Sequence, residues 1–175
     1  MALNTWQELP LMELEIFKAS KQDKPILKRM LELYQHDISP FSNADLNVHG
    51  EFGYTYLDYY WVEDRRYPYL ARFTGKFVGF VLVNTHNYLP KSQYSIAEFF
   101  VMKRYRRQGI GKTLAIHIFE QHPGVWEVRQ LPGHSEAVVF WRNTISDYSA
   151  GIFQEMADGC RDWRGSIFSF NNSKS

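Results

Sequence analysis

One segment constrains the fold more than any other part of the chain. The apolar run IAEFFVM (96–102) is followed at once by the basic, glycine-containing stretch KRYRRQGIGKTLA (103–115). The first run predicts a buried strand, and the residues after Gly109 predict a helix that ends before Pro123. A glycine turn between a strand and a helix lets a phosphate approach the free N–H groups that begin the helix. The segment therefore predicts an α/β domain with a phosphate-binding turn.

The remaining pattern predicts one mixed α/β domain. The predicted order of elements is β-α-(α)-β-β-β-α-β-α-β-β, beginning with a strand at 11–19. Residues 40–65 form an aromatic and acidic stretch that we expect to be irregular. We expect a single domain over 1–175, with a core over about 11–170 and a fraying polar tail at 171–175.

Composition excludes several classes of function. The 20 Lys and Arg against 19 Asp and Glu give a net charge of +1, which provides no general field for nucleic-acid binding. The single cysteine excludes internal disulfides and paired-cysteine zinc sites, and His117 and His122 are spaced wrongly to share a metal. No apolar run reaches the ~18 residues of a membrane span, and the N terminus lacks a signal-peptide pattern. We expect a cytoplasmic protein without a metal, nucleic-acid or membrane partner.

Three phosphate-binding motifs compete for the glycine turn. A Walker A loop requires a glycine where this chain has Arg106, and a dinucleotide fingerprint requires one where it has Leu114. The third pattern, [QR]-x-x-G-x-[GA], is matched at all three fixed positions by Arg106, Gly109 and Gly111. Its five basic side chains within 103–112 would oppose the helix dipole unless a polyanion neutralises them.

This motif, within the longer segment EFFVMKRYRRQGIGKTLA (98–115), resembles the coenzyme A site of the GNAT N-acetyltransferases. The resemblance implies an α/β fold with a mostly antiparallel sheet of six to seven strands, splayed at strands 4 and 5 and flanked by about four helices. It implies acetyl-CoA as the acyl donor, a small amine or peptide amine as the acceptor, and direct attack of the amine on the thioester. The family often dimerises, so a homodimer is also expected.

The resemblance also assigns the residues that bind acetyl-CoA. The fourth strand would pair with the pantetheine arm, the N–H of Val101 would polarise the thioester carbonyl, and the turn would hold the pyrophosphate. Trp141 would pack beside the cofactor arm. The predicted cofactor-binding residues are Phe99, Val101, Met102, Lys103, Arg106, Arg107, Gln108, Gly109, Ile110, Gly111, Lys112 and Trp141.

Two residues are candidates for proton transfer. Glu98 is a carboxylate within an apolar strand, where burial would raise its pKa and make it a general base. A surface ion pair, with water chains acting as the base, is the alternative. The family pattern N-x-x-A-x-x-F-Y reads HSEAVVFW here, so His134 replaces Asn, and Trp141 replaces the Tyr that usually acts as acid. Tyr148, a tyrosine of the 54–60 cluster, or no acid at all can take that place.

These departures keep a second function open, a GNAT-like acyl-CoA-binding module with weak or no catalysis. The stretch EFGYTYLDYYW (51–61) lies where the family places its substrate-facing segment. Its aromatic side chains, with Asp58, Glu63 and Asp64, suit a cationic amine. A packed core for the rings and a solvated loop for the acids are the alternatives.

Overall fold

A computed structural model describes residues 13–173, which form one seven-stranded sheet in the order β1-β2-β3-β4-β5-β7-β6. The strands are β1 (Leu14–Lys18), β2 (Tyr67–Phe73), β3 (Lys76–Asn84), β4 (Tyr94–Val101), β5 (Val125–Arg129), β6 (Gln154–Met156) and β7 (Ile167–Asn171). The helices are α1 (Lys24–Ser42), α2 (Ile110–Gln121) and α3 (Ser135–Tyr148). The observed order of elements confirms the order predicted from the sequence. The short 3₁₀ turn Leu57–Trp61 stands where a second helix after α1 was written in parentheses. The first two residues of the predicted strand at 11–19 lie outside the described residues.

The predicted splay lies between β4 and β5, the one parallel pair among the strands described within 13–173. The two strands are paired only where residues 94–96 face residues 126–128. Beyond Ile96, the edge of β4 that faces β5 has no strand partner within the described residues. A gap therefore opens in the middle of the sheet.

A β-bulge marks the start of this gap. In β3, Leu82 faces Glu98 and Val83 faces Ile96, so Ala97 is an extra residue on β4. A bulge bends its strand and reverses which face the following side chains occupy. It therefore turns β4 away from β5 and places Glu98 on the face of the sheet that α1 covers.

The two faces of the sheet carry separate cores. Under α2 and α3, Ile110, Leu114 and Ile145 pack against the inner side chains of the sheet and are at most 1% exposed. Under α1, Leu27 and Leu31 pack against Phe80, Leu82 and Phe100. Because each helix buries one apolar stripe, both faces of the sheet carry a packed layer of helices.

Two predicted boundaries were wrong. Helix α1 runs through Pro40 to Ser42 instead of ending before residue 40, because the Ser39 hydroxyl donates to the His36 carbonyl at 2.9 Å, where Pro40 has no N–H to offer. The polar tail does not fray at residue 171, which ends β7. The Asn172 side chain donates to the Phe119 carbonyl at 2.7 Å and accepts the Gly124 N–H at 2.7 Å.

Candidate active site

The turn between β4 and α2 presents a run of free N–H groups. Arg107 and Gly109 have φ values of 62° and 80°, and this left-handed backbone turns the chain into α2. Thr113 N–H donates to the Gly109 carbonyl at 3.0 Å, the first such bond of the helix. Within 13–173, no backbone group or side chain accepts a hydrogen bond from the N–H groups of 107–112. Six successive free donors at a helix N terminus are suited to bind an anion.

The two motif glycines have different roles. Gly109 supplies the left-handed conformation, and a Cβ atom there would meet nothing within 4 Å. A Cβ atom on Gly111 would lie 3.2 Å from the Phe140 ring. Gly111 therefore allows α2 to pack closely on α3, and Gly109 shapes the turn.

Acids from other elements neutralise part of the basic cluster. Lys103 Nζ lies 3.1 Å from Asp37 of α1, and Lys112 Nζ lies 2.6 Å from Asp147 of α3. Arg106 Nη2 donates to the same Asp37 at 2.6 Å. The expectation that these five cations have no acidic partners in the chain was therefore wrong for three of them, because the acids are distant in the sequence.

Arg106, the first residue of the motif, holds the turn together. Besides its pair with Asp37, its Nε donates to the Val101 carbonyl at 2.7 Å. The Gln108 side chain adds a bond to the Arg104 carbonyl at 2.9 Å. These contacts fix the end of β4 to the turn and to α1, and they leave Arg106 as a positioning residue.

The backbone of β4 presents alternate N–H groups to the gap. Met102 N–H donates to the Val78 carbonyl of β3 at 2.9 Å, so its amide is used inside the sheet and its side chain packs in the core under α1. Because peptide groups alternate along a strand, the N–H of Val101 points to the opposite, open edge. Of these two predicted cofactor residues, only Val101 has an amide that faces the gap.

A cavity of about 800 Å³ runs along the gap and is lined from both faces of the sheet. Phe99, Ala137 and Trp141 line the part toward α3. The part toward α1 is lined by side chains from α1, the loop after it, the ends of β3 and β5, and the loops beside them. Its members include Tyr34, Ile38, Tyr54, Tyr56, Arg66, Asn84, His86, Tyr88, Glu98, Arg129, Arg161, Asp162 and Trp163.

Glu98 is a titratable group that lines this cavity. Burial raises the pKa of Glu98 to about 7, while hydrogen bonds from Tyr34 and Tyr54 and the charge of Arg129 oppose that rise. Burial also raises the pKa of both tyrosines, with the Glu98 charge adding to the effect, so both phenols stay protonated beside the carboxyl group. A carboxyl group with a pKa near neutrality can accept and release a proton at physiological pH.

Arg129 and Glu127 are site residues that the sequence reasoning missed. The Glu127 carboxylate, fully buried, accepts N–H groups from Tyr88 at 3.1 Å and Leu89 at 2.8 Å. Arg129 Nε lies 3.4 Å from Glu127 Oε1. The signal was present in VWEVRQL (125–131), where two charged residues occupy one face of an otherwise apolar strand.

The sequence match and the fold agree on one family. Residues 28–131 match the acetyltransferase (GNAT) family, which is more than half of the chain. The chain belongs to the GNAT acetyltransferase family. Among curated proteins, none matches it significantly.

Solved GNAT structures share the fold at low sequence identity. An acetyltransferase from Thermus thermophilus is 15% identical with a TM-score of 0.67, over 92% of this chain and 98% of that one. A GNAT acetyltransferase from Staphylococcus aureus is 17% identical with a TM-score of 0.62, over 91% and 99%. A ribosomal-protein-alanine N-acetyltransferase from Brucella melitensis is 19% identical with a TM-score of 0.58, over 90% and 99%. These likenesses establish the fold.

The residues that depart from the GNAT pattern pack against aromatic neighbours. Trp141 is 5% exposed, and its ring centroid lies 4.8 Å from that of Phe99 and 5.0 Å from that of Phe140. His134 stacks on Phe41 of α1 at 4.3 Å with the planes 13° apart. Burial lowers the pKa of His134, which favours the neutral ring in this stack.

Tyr148 lies outside the cavity of this GNAT domain. Its ring packs on Phe119 and Phe170 at 5.4 and 5.9 Å, and its hydroxyl accepts the Asn172 amide at 3.2 Å. The position of Tyr148 does not favour the expectation that it serves as the acid, because its hydroxyl contacts the Asn172 side chain just after β7 and does not face the cavity. The residue is seven positions beyond Trp141, two turns along α3.

The three acids expected to attract a cationic amine lie outside the cavity. Asp58 pairs with Lys24, and Glu63 Oε2 accepts from Arg66 Nε at 2.6 Å. Neither they nor Asp64 line the cavity. No cluster of three or more metal-ligating side chains occurs among residues 13–173, and no helix in that range is long and apolar enough to cross a membrane.

Proposed function

We propose that this GNAT protein is an N-acetyltransferase that moves the acetyl group of acetyl-CoA to a primary amine by direct attack. The observation that carries the proposal is the cavity along the β4–β5 gap. The free N–H groups of 107–112 lie at the end of β4, and Glu98 faces the cavity from β4 itself. The open edge of β4 runs from the residues that line the cavity to the turn, so a donor bound along this edge would bring its thioester beside Glu98.

The donor would be held chiefly by backbone groups. The N–H groups of 107–112 suit the pyrophosphate of acetyl-CoA, and the open edge of β4 suits the amides of the pantetheine arm. The N–H of Val101 would then face the thioester carbonyl, where one such donor contributes about 3 kcal/mol to the transition state. Phe99 and Trp141 would pack beside the arm.

The reaction follows from the position of Glu98. An ammonium group in the cavity would lose a proton to the Glu98 carboxylate, and the neutral nitrogen would attack the acetyl carbonyl carbon. The C–N bond forms, the C–S bond breaks, and the electron pair leaves with the CoA sulfur as a thiolate. As the amide forms, the nitrogen loses its second proton, and the thiolate takes up one proton to become the CoA thiol. We assign no protein acid to this transfer, because Trp141 offers only an indole N–H.

The acceptor class and setting belong to the same proposal. A small amine or peptide amine fits the cavity, and the two phenols beside Glu98 would contact it. A cytoplasmic location and a homodimer are the accompanying expectations from the single cysteine and from the family resemblance.

Two measurements test the proposal in sequence. Calorimetric titration should show binding of acetyl-CoA and no binding of ATP, and binding of ATP alone would contradict it. Release of free thiol from acetyl-CoA should then depend on an added amine, in a panel of amino acids, monoamines, polyamines and short peptides. Binding of acetyl-CoA without amine-dependent thiol release would favour the alternative, a GNAT-like acyl-CoA-binding module.

A further inference from the structure

The proposed function gives Glu98 a role in the cavity and leaves Arg129 without one. Arg129 ends β5, and its neighbour Val128 packs into the core under α2 and α3. Because side chains alternate along a strand, Arg129 lies on the face covered by α1, the same face as Glu98. Its side chain is 15% exposed and lines the cavity.

The guanidinium of Arg129 is held in one orientation. Its Nε faces the buried Glu127, and its central carbon lies 4.8 Å from the Tyr88 ring centroid and 5.1 Å from the Trp163 ring centroid. Its Nη2 donates to the Ser95 hydroxyl at 3.4 Å, and its Nη1 donates to no group within 13–173. A planar, fixed guanidinium with free N–H groups is suited to paired hydrogen bonds with a carboxylate.

The charges around the cavity favour the same kind of ligand. Its lining carries Arg66, Arg129 and Arg161 against Glu98 and Asp162. Arg66 is paired with Glu63 and Arg129 with Glu127, but Arg129 keeps an Nη1 group without a partner among residues 13–173 and lies at the end of β5 beside the gap. A substrate with two or more cations would meet this arginine unfavourably, whereas one with an ammonium and a carboxylate would match both charges.

Glu98 and Arg129 line the same cavity. They occupy neighbouring strands on either side of the gap. Glu98 directly follows the bulge in β4, and Arg129 is the last residue of β5. The Arg129 charge acts to lower the pKa of Glu98, so the two groups interact across the cavity.

We propose that the acceptor is a small primary amine that also carries a carboxylate, as an amino acid does, and that Arg129 binds this carboxylate while Glu98 faces the amine. This inference rests on the proposed function and adds the substrate class. Arg129 then acts as a specificity-determining residue, and Glu127, Tyr88 and Trp163 position it.

The first experiment needs no variant and no turnover. N-acetylglycine, N-acetyl-β-alanine and N-acetyl-γ-aminobutyrate are product analogues with the carboxylate at increasing distance from the nitrogen. Each is compared with its primary amide by calorimetric titration of the protein in the presence of CoA. At least one carboxylate should bind about tenfold more tightly than its amide, because a charged and bidentate contact is lost in the amide.

Variants then assign this preference to Arg129. Arg129→Gln should remove the difference between carboxylate and amide, and Arg129→Lys should keep only part of it, because lysine lacks the planar fork. Arg72 is the matched control, since it also stacks between two rings, at 4.8 Å from Phe17 and 4.4 Å from Phe77, away from the cavity. Arg72→Gln should keep the full difference.

Folding of the variants is checked by thermal unfolding. Because Arg129→Gln leaves Glu127 buried beside a neutral group, the double variant Glu127→Gln/Arg129→Gln removes both charges and serves as a second test. Equal binding of carboxylates and amides to the unsubstituted protein would overturn the inference without any variant. A preference that survives in a folded Arg129→Gln protein would also overturn it.

Turnover separates this inference from the proposed function. Thiol release with free amino acids, and little release with the matched amides or with polyamines, supports both the acetyltransferase and the carboxylate-binding role of Arg129. If only a peptide gives carboxylate-dependent thiol release, the carboxylate that Arg129 binds belongs to a peptide. Thiol release only with amines that lack a carboxylate keeps the acetyltransferase and overturns the inference. Carboxylate-dependent binding without thiol release under any condition keeps the Arg129 site and contradicts acetyl transfer.

Discussion

The turn that follows β4 and the cavity on the α1 face are built in opposite ways. The turn uses the backbone of six consecutive residues, 107–112, and needs side chains only to hold its shape. The cavity uses side chains brought together from α1, the loop after it, β4, β5 and the loop after β6. A site made of backbone groups depends on local conformation, whereas a site made of side chains depends on the whole fold.

Their electrostatics differ in the same way. Three cations of the turn are paired with Asp37 or Asp147, so its affinity for an anion rests largely on N–H groups and the helix dipole. In the cavity, Glu98 is surrounded by phenols and has a pKa of about 7, so it can change its charge at physiological pH. The turn is suited to binding, and the cavity is suited to proton transfer.

The largest expected effect separates chemistry from binding. Glu98→Gln should lower kcat about 10²- to 10⁴-fold, the usual contribution of a general base, and leave the affinity for acetyl-CoA unchanged. Protonated Glu98 cannot accept a proton, so the rate of the unsubstituted enzyme should rise with pH through about 7. A pH–rate profile measured by thiol release checks both, and an identical profile in the variant would remove Glu98 as the base.

The second effect acts on the turn alone. Gly109→Val should lower the affinity for acetyl-CoA about 10- to 100-fold, because a side chain at φ 80° shifts the N–H groups that form charge-assisted bonds worth about 1.5–3 kcal/mol each. Gly75→Val is the matched control, since Gly75 also has a positive φ of 75° and open space around its Cβ position, but lies in the β2–β3 hairpin. Calorimetry should show the loss only in the Gly109 variant. Equal losses would mean that general destabilisation is responsible.

The third effect concerns the acids that hold the turn. Asp37→Asn should lower the free energy of unfolding by about 1 kcal/mol, because one largely buried carboxylate binds both Lys103 and Arg106. Asp147→Asn should cost at most about 0.5 kcal/mol, since its pair with Lys112 is exposed. Urea unfolding of the two variants makes the comparison, and equal costs would contradict the role given to Asp37.

The smallest expected effect on the rate is that of Tyr148, for which we expect no role as the acid. Tyr148→Phe should leave kcat unchanged, because the hydroxyl accepts a bond from Asn172 and does not line the cavity. Unfolding should show a loss of about 0.5–1.5 kcal/mol for the missing hydrogen bond. A large fall in kcat with unchanged stability would restore Tyr148 as the acid.

The local features of the fold could be predicted from the sequence. The turn, the β2–β3 hairpin and the order of strands and helices follow from glycine placement and apolar periodicity, which are properties of short segments. The family resemblance supplied the splay between the fourth and fifth strands. The bulge at Ala97 could not be predicted, because one extra residue in an apolar strand leaves the pattern of apolar side chains almost unchanged.

Of the candidate site, only the part formed by consecutive residues was predicted from the sequence. The turn was found, but Asp37 and Asp147 were not paired with it, because nothing in the sequence shows which acids the helices bring near. Arg129 was missed because its function depends on Glu127 and on two rings far along the chain. Tyr148 was nominated from its spacing to Trp141, which puts it on the same face of α3 but two turns further along, where its ring packs on Phe119 and Phe170.

If a bound donor reaches from the turn to the acceptor cavity along the gap, ¹⁵N-amide NMR should detect a ligand in each region. Addition of acetyl-CoA should shift the amides of 107–112 and of Val101. Subsequent addition of N-acetylglycine in the presence of CoA should shift the amides of Glu98 and Arg129. Shifts in both regions, each from its own ligand, are the predicted result. Acetyl-CoA shifts that lie away from 107–112, or ligands that perturb only one side of the gap, would contradict the account.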